Sequence, residues 1–158
     1  MCQHNMVDAI VWASIGISLA VFLSVIGAAL GISIAAPAIA AAGTERPEIV
    51  SKSLIATILA EALAIYGLVV GLLSIFKLPA AGAAALSSDS GFRLFFGGTI
   101  MGVASIAAGF GIGTSGGALA SATAEKPELF SRVVVPLILA EALAIYAFVA
   151  ALLLVLQA

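Results

Sequence analysis

Polar positions are so sparse along this chain that they partition it unaided. No Asp, Glu, Lys or Arg occurs from Ala9 to Thr44, and none from Leu94 to Ala124. Two further apolar stretches run roughly from Glu48 to Phe76 and from Glu128 to Gln157. Beyond Lys52 and Arg132 near their starts, each contains one charge, Glu61 or Glu141. A helix of about 20 apolar residues crosses a bilayer. The pattern therefore predicts an all-α membrane protein with four transmembrane helices. The first and third are long enough to tilt or to project beyond the hydrocarbon.

The four segments form two copies of one unit. The octapeptide LAEALAIY stands at Leu59–Tyr66 and again at Leu139–Tyr146, 80 residues on. The preceding turns match as well, Thr44-Glu45-Arg46-Pro47-Glu48 against Ala124-Glu125-Lys126-Pro127-Glu128. Proline suits the first position of a helix, and an acid just after it complements the positive helix end. The second and fourth helices are thus predicted to start at Pro47 and Pro127. Residues 7–76 form a first helical hairpin, 77–90 a connector with Pro79 and Gly82, and 91–158 a second hairpin. An even number of spans per repeat makes the two hairpins parallel in the membrane.

Composition agrees with the pattern: 63% of the 158 residues are hydrophobic and 9% charged, against about 25% charged in ordinary soluble domains. The formal net charge of −2 and the lack of a basic patch argue against nucleic acid as a partner. Cys2 is the only cysteine, which excludes an internal disulfide and a thiolate metal cluster. It is read, like His4, as part of a short terminal tail. The first apolar run is too long for the core of a cleavable leader and is taken as a permanent span. Arg46, Lys52, Lys126 and Arg132 cluster at the short turns, which the positive-inside rule places in the cytoplasm. Trp12, Phe92, Phe95 and Phe96 are expected at the opposite interface.

Glycine is concentrated in the first and third helices, often every fourth residue, as at Gly27/Gly31 and Gly109/Gly113/Gly117. Such spacing gives a helix a face without side chains and lets a neighbour's backbone approach. The first and third helices should therefore form a tight inner layer, with the second and fourth outside. Gly111-Ile-Gly113-Thr-Ser-Gly116 satisfies a dinucleotide-binding pattern, but that reading needs a preceding strand. Inside an apolar helix it is read as close packing, and no cofactor or metal is expected.

The paired acids carry the chemistry. Glu61 and Glu141 each lie 13 residues past the glutamate that opens their helix, about 20 Å along the axis and near mid-membrane. Ionisable groups at that depth mark ion pathways by default. With alanine and leucine as neighbours, each is stable there as a neutral acid that releases its proton only where water or a cation reaches it. A buried protonated donor of purely structural use is the plainer reading, which a duplicated octapeptide disfavours. Tyr66 and Tyr146 lie five residues beyond, poorly placed for the acid on their own helix but suited to one on a neighbouring helix. Sodium would require more oxygen ligands than these flanks offer. Thr57 has only Leu137 as its counterpart, although Thr114 and Ser115 on the third helix leave sodium open as an alternative. A proton-coupled secondary transporter is a further alternative, disfavoured because such folds often use inverted repeats and broken helices.

Taken together, two fused hairpins, glycine-rich first helices, a mid-helix acid in each second helix and Ala60-Glu-Ala-Leu-Ala-Ile-Tyr-Gly67 resemble the c-type or K-type proteolipids of V-type and A-type rotary ATPases. The resemblance spans nearly the whole chain. It implies a ring of copies or related proteolipids, with glycine-rich helices inside. The carboxylate helices would face a static membrane subunit bearing an essential arginine, and the short turns would dock a central stalk. Glu61 and Glu141 would be the proton-binding carboxyls, with Tyr66 and Tyr146 holding neighbouring carboxyls closed. ATP chemistry would take place on other subunits. Duplicated members often keep one working acid, in the fourth helix; this chain has both. An acid in the first hairpin is also a trait of the minor c″ type. The implied location is a vacuolar or endomembrane in a eukaryote and the plasma membrane in a prokaryote.

Overall fold

Proline dictates the two short turns. A residue before proline is pushed to extended backbone, and Arg46 (φ −137°, ψ 87°) and Lys126 (φ −138°, ψ 95°) adopt nearly the same conformation. Each breaks its helix, and a 3₁₀ turn restarts the chain at Pro47–Ile49 and Pro127–Leu129. The computed structural model describes residues 2–79 and 86–158, with side chains from residue 8 onward. Gly82 of the connector and the side chains of Cys2 and His4 lie outside the described part.

Five helices follow in order: α1 (Cys2–Glu45), α2 (Val50–Ser53), α3 (Ile55–Phe76), α4 (Ser88–Glu125) and α5 (Phe130–Leu156). With the 3₁₀ turns they make four stretches long and apolar enough to cross a membrane, Asp8–Glu45, Pro47–Phe76, Ser88–Glu125 and Pro127–Leu156. The second span runs through Leu54 between α2 and α3 with helical backbone (φ −59°, ψ −17°), the Leu54 and Ile58 N–H groups donating to the Val50 and Leu54 carbonyls at 3.0 and 3.1 Å, just as its counterpart α5 runs on past Pro136. The four-span reading holds, with two local differences. The segment read as a short tail at Cys2 and His4 is helical backbone continuous with α1. Helix α4 begins at Ser88, inside the stretch assigned to the connector, because Ser87 accepts the Ser90 N–H at 3.0 Å and caps it.

At about 1.5 Å per residue α1 and α4 exceed the roughly 30 Å hydrocarbon and extend past it. Glycine lets them lie together. A Cβ on Gly27, Gly98 or Gly109 would overlap backbone of the partner helix, so no other residue fits without separating the pair. At the centre of the seam the Ser24 and Ser105 hydroxyls share a buried 2.9 Å hydrogen bond. Fully buried alanines, among them Ala13, Ala20, Ala35 and Ala120, continue the small-residue contact. Helix α3 packs outside on α1 and α4, and α5 on α4. The Gly111–Gly116 stretch is uninterrupted helix interior, without the strand and turn a nucleotide cradle needs.

Outside, the molecule is oily. Phe22, Ile58, Leu68, Phe110, Leu139 and Leu143 all stand exposed, a surface that suits lipid or other helices rather than water. At the connector end Trp12 packs against Phe92 and Phe95, ring centroids 5.8 and 5.1 Å apart. There Lys77, just past the first hairpin, donates to the Leu156 carbonyl at the end of the second at 3.2 Å, and Arg93 donates to Gln157 Oε1 at 2.9 Å within the second hairpin.

Candidate proton-binding site

Where α3 and α5 meet, one tyrosine and one acid from different hairpins come together. The Tyr66 hydroxyl donates to Glu141 Oε1 at 2.6 Å. Phe148, two residues beyond the octapeptide, stacks on the Tyr66 ring with centroids 5.0 Å apart and planes 28° apart. That fixes the phenol, so the hydroxyl meets the carboxyl without a search over rotamers. Glu141 itself is 6% exposed. On the buried face of α5 it has Leu137 and Ala144, one helical turn to either side. Its second oxygen, Oε2, is buried with no hydrogen-bond partner among the described residues. A carboxyl with one oxygen bonded and the other in an apolar wall can hold a hydrogen and release it when that wall is replaced by water or a cation.

The two glutamates, identical in sequence, are not equivalent in the single chain. Glu61 lies exposed on the outer side of α3, with no hydrogen bond or ion pair among the described residues. Tyr146 is 67% exposed. The chain thus brings together Tyr66 with Glu141 and leaves Tyr146 and Glu61 apart. Of the hydroxyls considered for sodium, Thr57 donates to the Leu54 carbonyl at 2.9 Å and Thr114 to Phe110 and Gly111 of its own helix. Among the expected packing glycines, Gly27, Gly31, Gly109 and Gly113 line the α1–α4 seam, and Gly117 lies at its looser edge.

Phe148 and the Ser24–Ser105 pair escape a reading of the sequence. Phe148 has Leu68 as its counterpart in the first repeat, and the two serines are 81 rather than 80 positions apart. A search for repeated residues passes over both. The one signal for Phe148 is that the second octapeptide is followed two residues later by an aromatic ring.

Comparison with known proteins agrees with this architecture. The ATP synthase C-subunit family matches the chain twice, at residues 15–74 and 95–154, once per hairpin. Each match contains one glutamate and one tyrosine of the site. The c″ subunit of the V-type proton ATPase of Saccharomyces cerevisiae is 38% identical over 78% of this chain, which spans 60% of that protein's length. The 16 kDa c-type proteolipid of the V-type proton ATPase of Ascaris suum is 37% identical over 88% of this chain and 86% of its own. The 16 kDa proteolipid of the same description from Ovis aries is 38% identical over 90% of both chains.

Proposed function

Since the chain belongs to the ATP synthase C-subunit family, with the unit present twice, we propose that it is a rotor proteolipid of a V-type rotary ATPase, moving protons on Glu141 and Glu61. The observation that carries this reading is the 2.6 Å bond from Tyr66 to a buried Glu141 whose other oxygen has no partner among the described residues. Lipid and close-packed helices stabilise the neutral acid far better than the carboxylate. With its proton in place, Glu141 is held closed by Tyr66 and crosses the lipid as an uncharged group.

Release requires the wall beside Oε2 to open onto water and a positive charge. A static membrane subunit with an arginine supplies both at one angular position. After the proton leaves, the arginine holds the carboxylate until the rotor brings it to the second water path, where it is reprotonated. One charge crossing 100 mV is worth about 2.3 kcal/mol, so several carboxyls must pass for each ATP turned over on partner subunits. The short turns at residues 43–48 and 124–128 are the docking surface for the stalk that transmits the rotation. Proton is favoured over sodium because Tyr66 is the only side chain among the described residues to bond Glu141.

Labelling with a hydrophobic carbodiimide, which needs a protonated carboxyl in an apolar setting, tests the reading. Both acids should react, at rates that fall as pH rises and are unchanged by sodium. Sodium protection would assign the site to that ion, and failure of Glu141 to react at all would remove it as carrier.

A further inference from the structure

The two octapeptides are identical, and the repeats part at the two positions that follow them, Gly67-Leu68 in the first and Ala147-Phe148 in the second. Two of these four residues hold Tyr66. Gly67, its neighbour on α3, lies so close to α1 that a Cβ there would overlap Ser24 and the Ala20 carbonyl. Ser24 is bonded in turn to Ser105 of α4. The backbone that carries Tyr66 is therefore pinned to the inner layer. Its ring is held by Phe148 of α5, the centroids 5.0 Å apart.

Phe148 follows Glu141 by seven residues, close to two helical turns and about 10 Å along the axis. Both therefore lie on one face of α5, with the buried Ala144 between them. Tyr66 spans that interval, its ring on Phe148 and its hydroxyl on Glu141 Oε1. The phenol is thus fixed at two points of a single helix. With the α3 backbone pinned at Gly67, the hydroxyl leaves the carboxyl by turning about the tyrosine's own side-chain torsions. Such a turn takes the ring off Phe148.

Resting on the reading of Glu141 as a proton carrier, we propose that Phe148 is a positioning residue for that carboxyl. By bracing the Tyr66 ring it sets how often the hydroxyl lets go, and hence how readily the site opens. Phe148 has no polar atom with which to bond the acid, so it acts through the tyrosine. A stacked aromatic pair adds enough to shift an equilibrium by about two- to tenfold beyond the area it buries. Leucine, which the first repeat has at position 68, fills part of the same volume and offers no flat face. The firmness of the Glu141 latch therefore comes from outside the duplicated octapeptide, from a ring that only the second repeat possesses.

Carbodiimide labelling of Glu141 and Glu61 in membranes containing the assembled complex, resolved by mass spectrometry, tests this. At a pH where further acidification no longer speeds the reaction, the rate reads opening of the site rather than its protonation. Phe148→Leu should speed labelling of Glu141 by about two- to tenfold and leave Glu61 within about twofold of the parent. Phe148→Tyr, which keeps a ring, should restore the parent rate. Tyr66→Phe should itself speed labelling of Glu141, and adding Phe148→Leu to it should bring no further change, as for two residues acting through one contact. Should Phe148→Leu fail to assemble, Phe148→Ile takes its place with the same expected outcomes. No acceleration at Glu141 overturns the proposal. Equal acceleration of both glutamates, or an acceleration that persists undiminished in the Tyr66→Phe background, also overturns it, because either marks a general loosening of packing. Vesicle acidification at the parent rate by Glu141→Gln would remove the carrier reading alone and leave the coupling of Phe148 to Glu141 to be decided by the labelling.

Discussion

Substituting alanine at three glycines on one helix should produce three different outcomes, because the seam between α1 and α4 widens along them. A Cβ on Gly117 would meet Ala38 Cβ at 3.5 Å, an ordinary contact. A Cβ on Gly113, one turn away, would lie 2.8 Å from Ile34 Cβ, 2.9 Å from the Gly31 carbonyl oxygen and 3.1 Å from Gly31 Cα. Relaxed carbon contacts are about 3.5–4.0 Å, so the helices must part locally by roughly 0.7 Å. A gap of that size forfeits about a quarter to a half of each atom pair's 0.1–0.2 kcal/mol. Over a turn of seam as rich in contacts as one buried leucine, about 40–60 pairs, the loss is on the order of 1–6 kcal/mol. Relaxation brings it toward the roughly 1–3 kcal/mol typical of overpacked interiors. On Gly109 the Cβ would overlap backbone atoms of Gly27, which cannot rotate away, so the loss should be larger still. In water alanine would recover about 0.5–1 kcal/mol through helix propensity. In lipid a separated helix remains helical, so that offset largely vanishes. Denaturation by SDS titration of the detergent-solubilised protein reads the series. Gly117→Ala should stay within about 0.5 kcal/mol of the parent, Gly113→Ala should fall below it, and Gly109→Ala should be lowest. A Gly113→Ala variant as stable as Gly117→Ala would refute the close seam, as would a reversed order of Gly109 and Gly113.

Other perturbations follow from the same contacts. Ser24→Ala should cost about 0.5–1.5 kcal/mol in the same titration, since it strands the Ser105 hydroxyl from its side-chain partner, and the Ser24/Ser105 double alanine variant should be no worse than either single change; additive losses would disprove a shared bond. Gly67→Ala should destabilise by about 1–3 kcal/mol because its Cβ would run into Ser24 and the Ala20 carbonyl, whereas Ala147→Gly at the repeated position should stay within about 1 kcal/mol of the parent. Ser87→Ala should loosen the start of α4 by about 0.5–2 kcal/mol through loss of the bond to the Ser90 N–H, visible as faster amide exchange at the first turn.

Most of the architecture is written in the chain's polar gaps. Charge spacing alone locates four spans, and the prolines at 47 and 127 mark both turns because their ring forces extended backbone on Arg46 and Lys126. The glycine periodicity identifies which helices pack closely. The inequality of Glu61 and Glu141 is another matter. Their octapeptides are identical, and what distinguishes them is which side of each hairpin the other hairpin covers. That choice is a property of three-dimensional packing with no local signature.

Replacing Glu141 with glutamine keeps the size of the side chain and its ability to accept from Tyr66, and removes only the titratable proton. ATP-driven acidification of vesicles containing the assembled complex, followed with a pH-sensitive dye, is the direct test of whether that proton is the cargo. The Glu141→Gln complex should assemble normally and fail to acidify the vesicles. Acidification at the parent rate would show that the proton travels by another route.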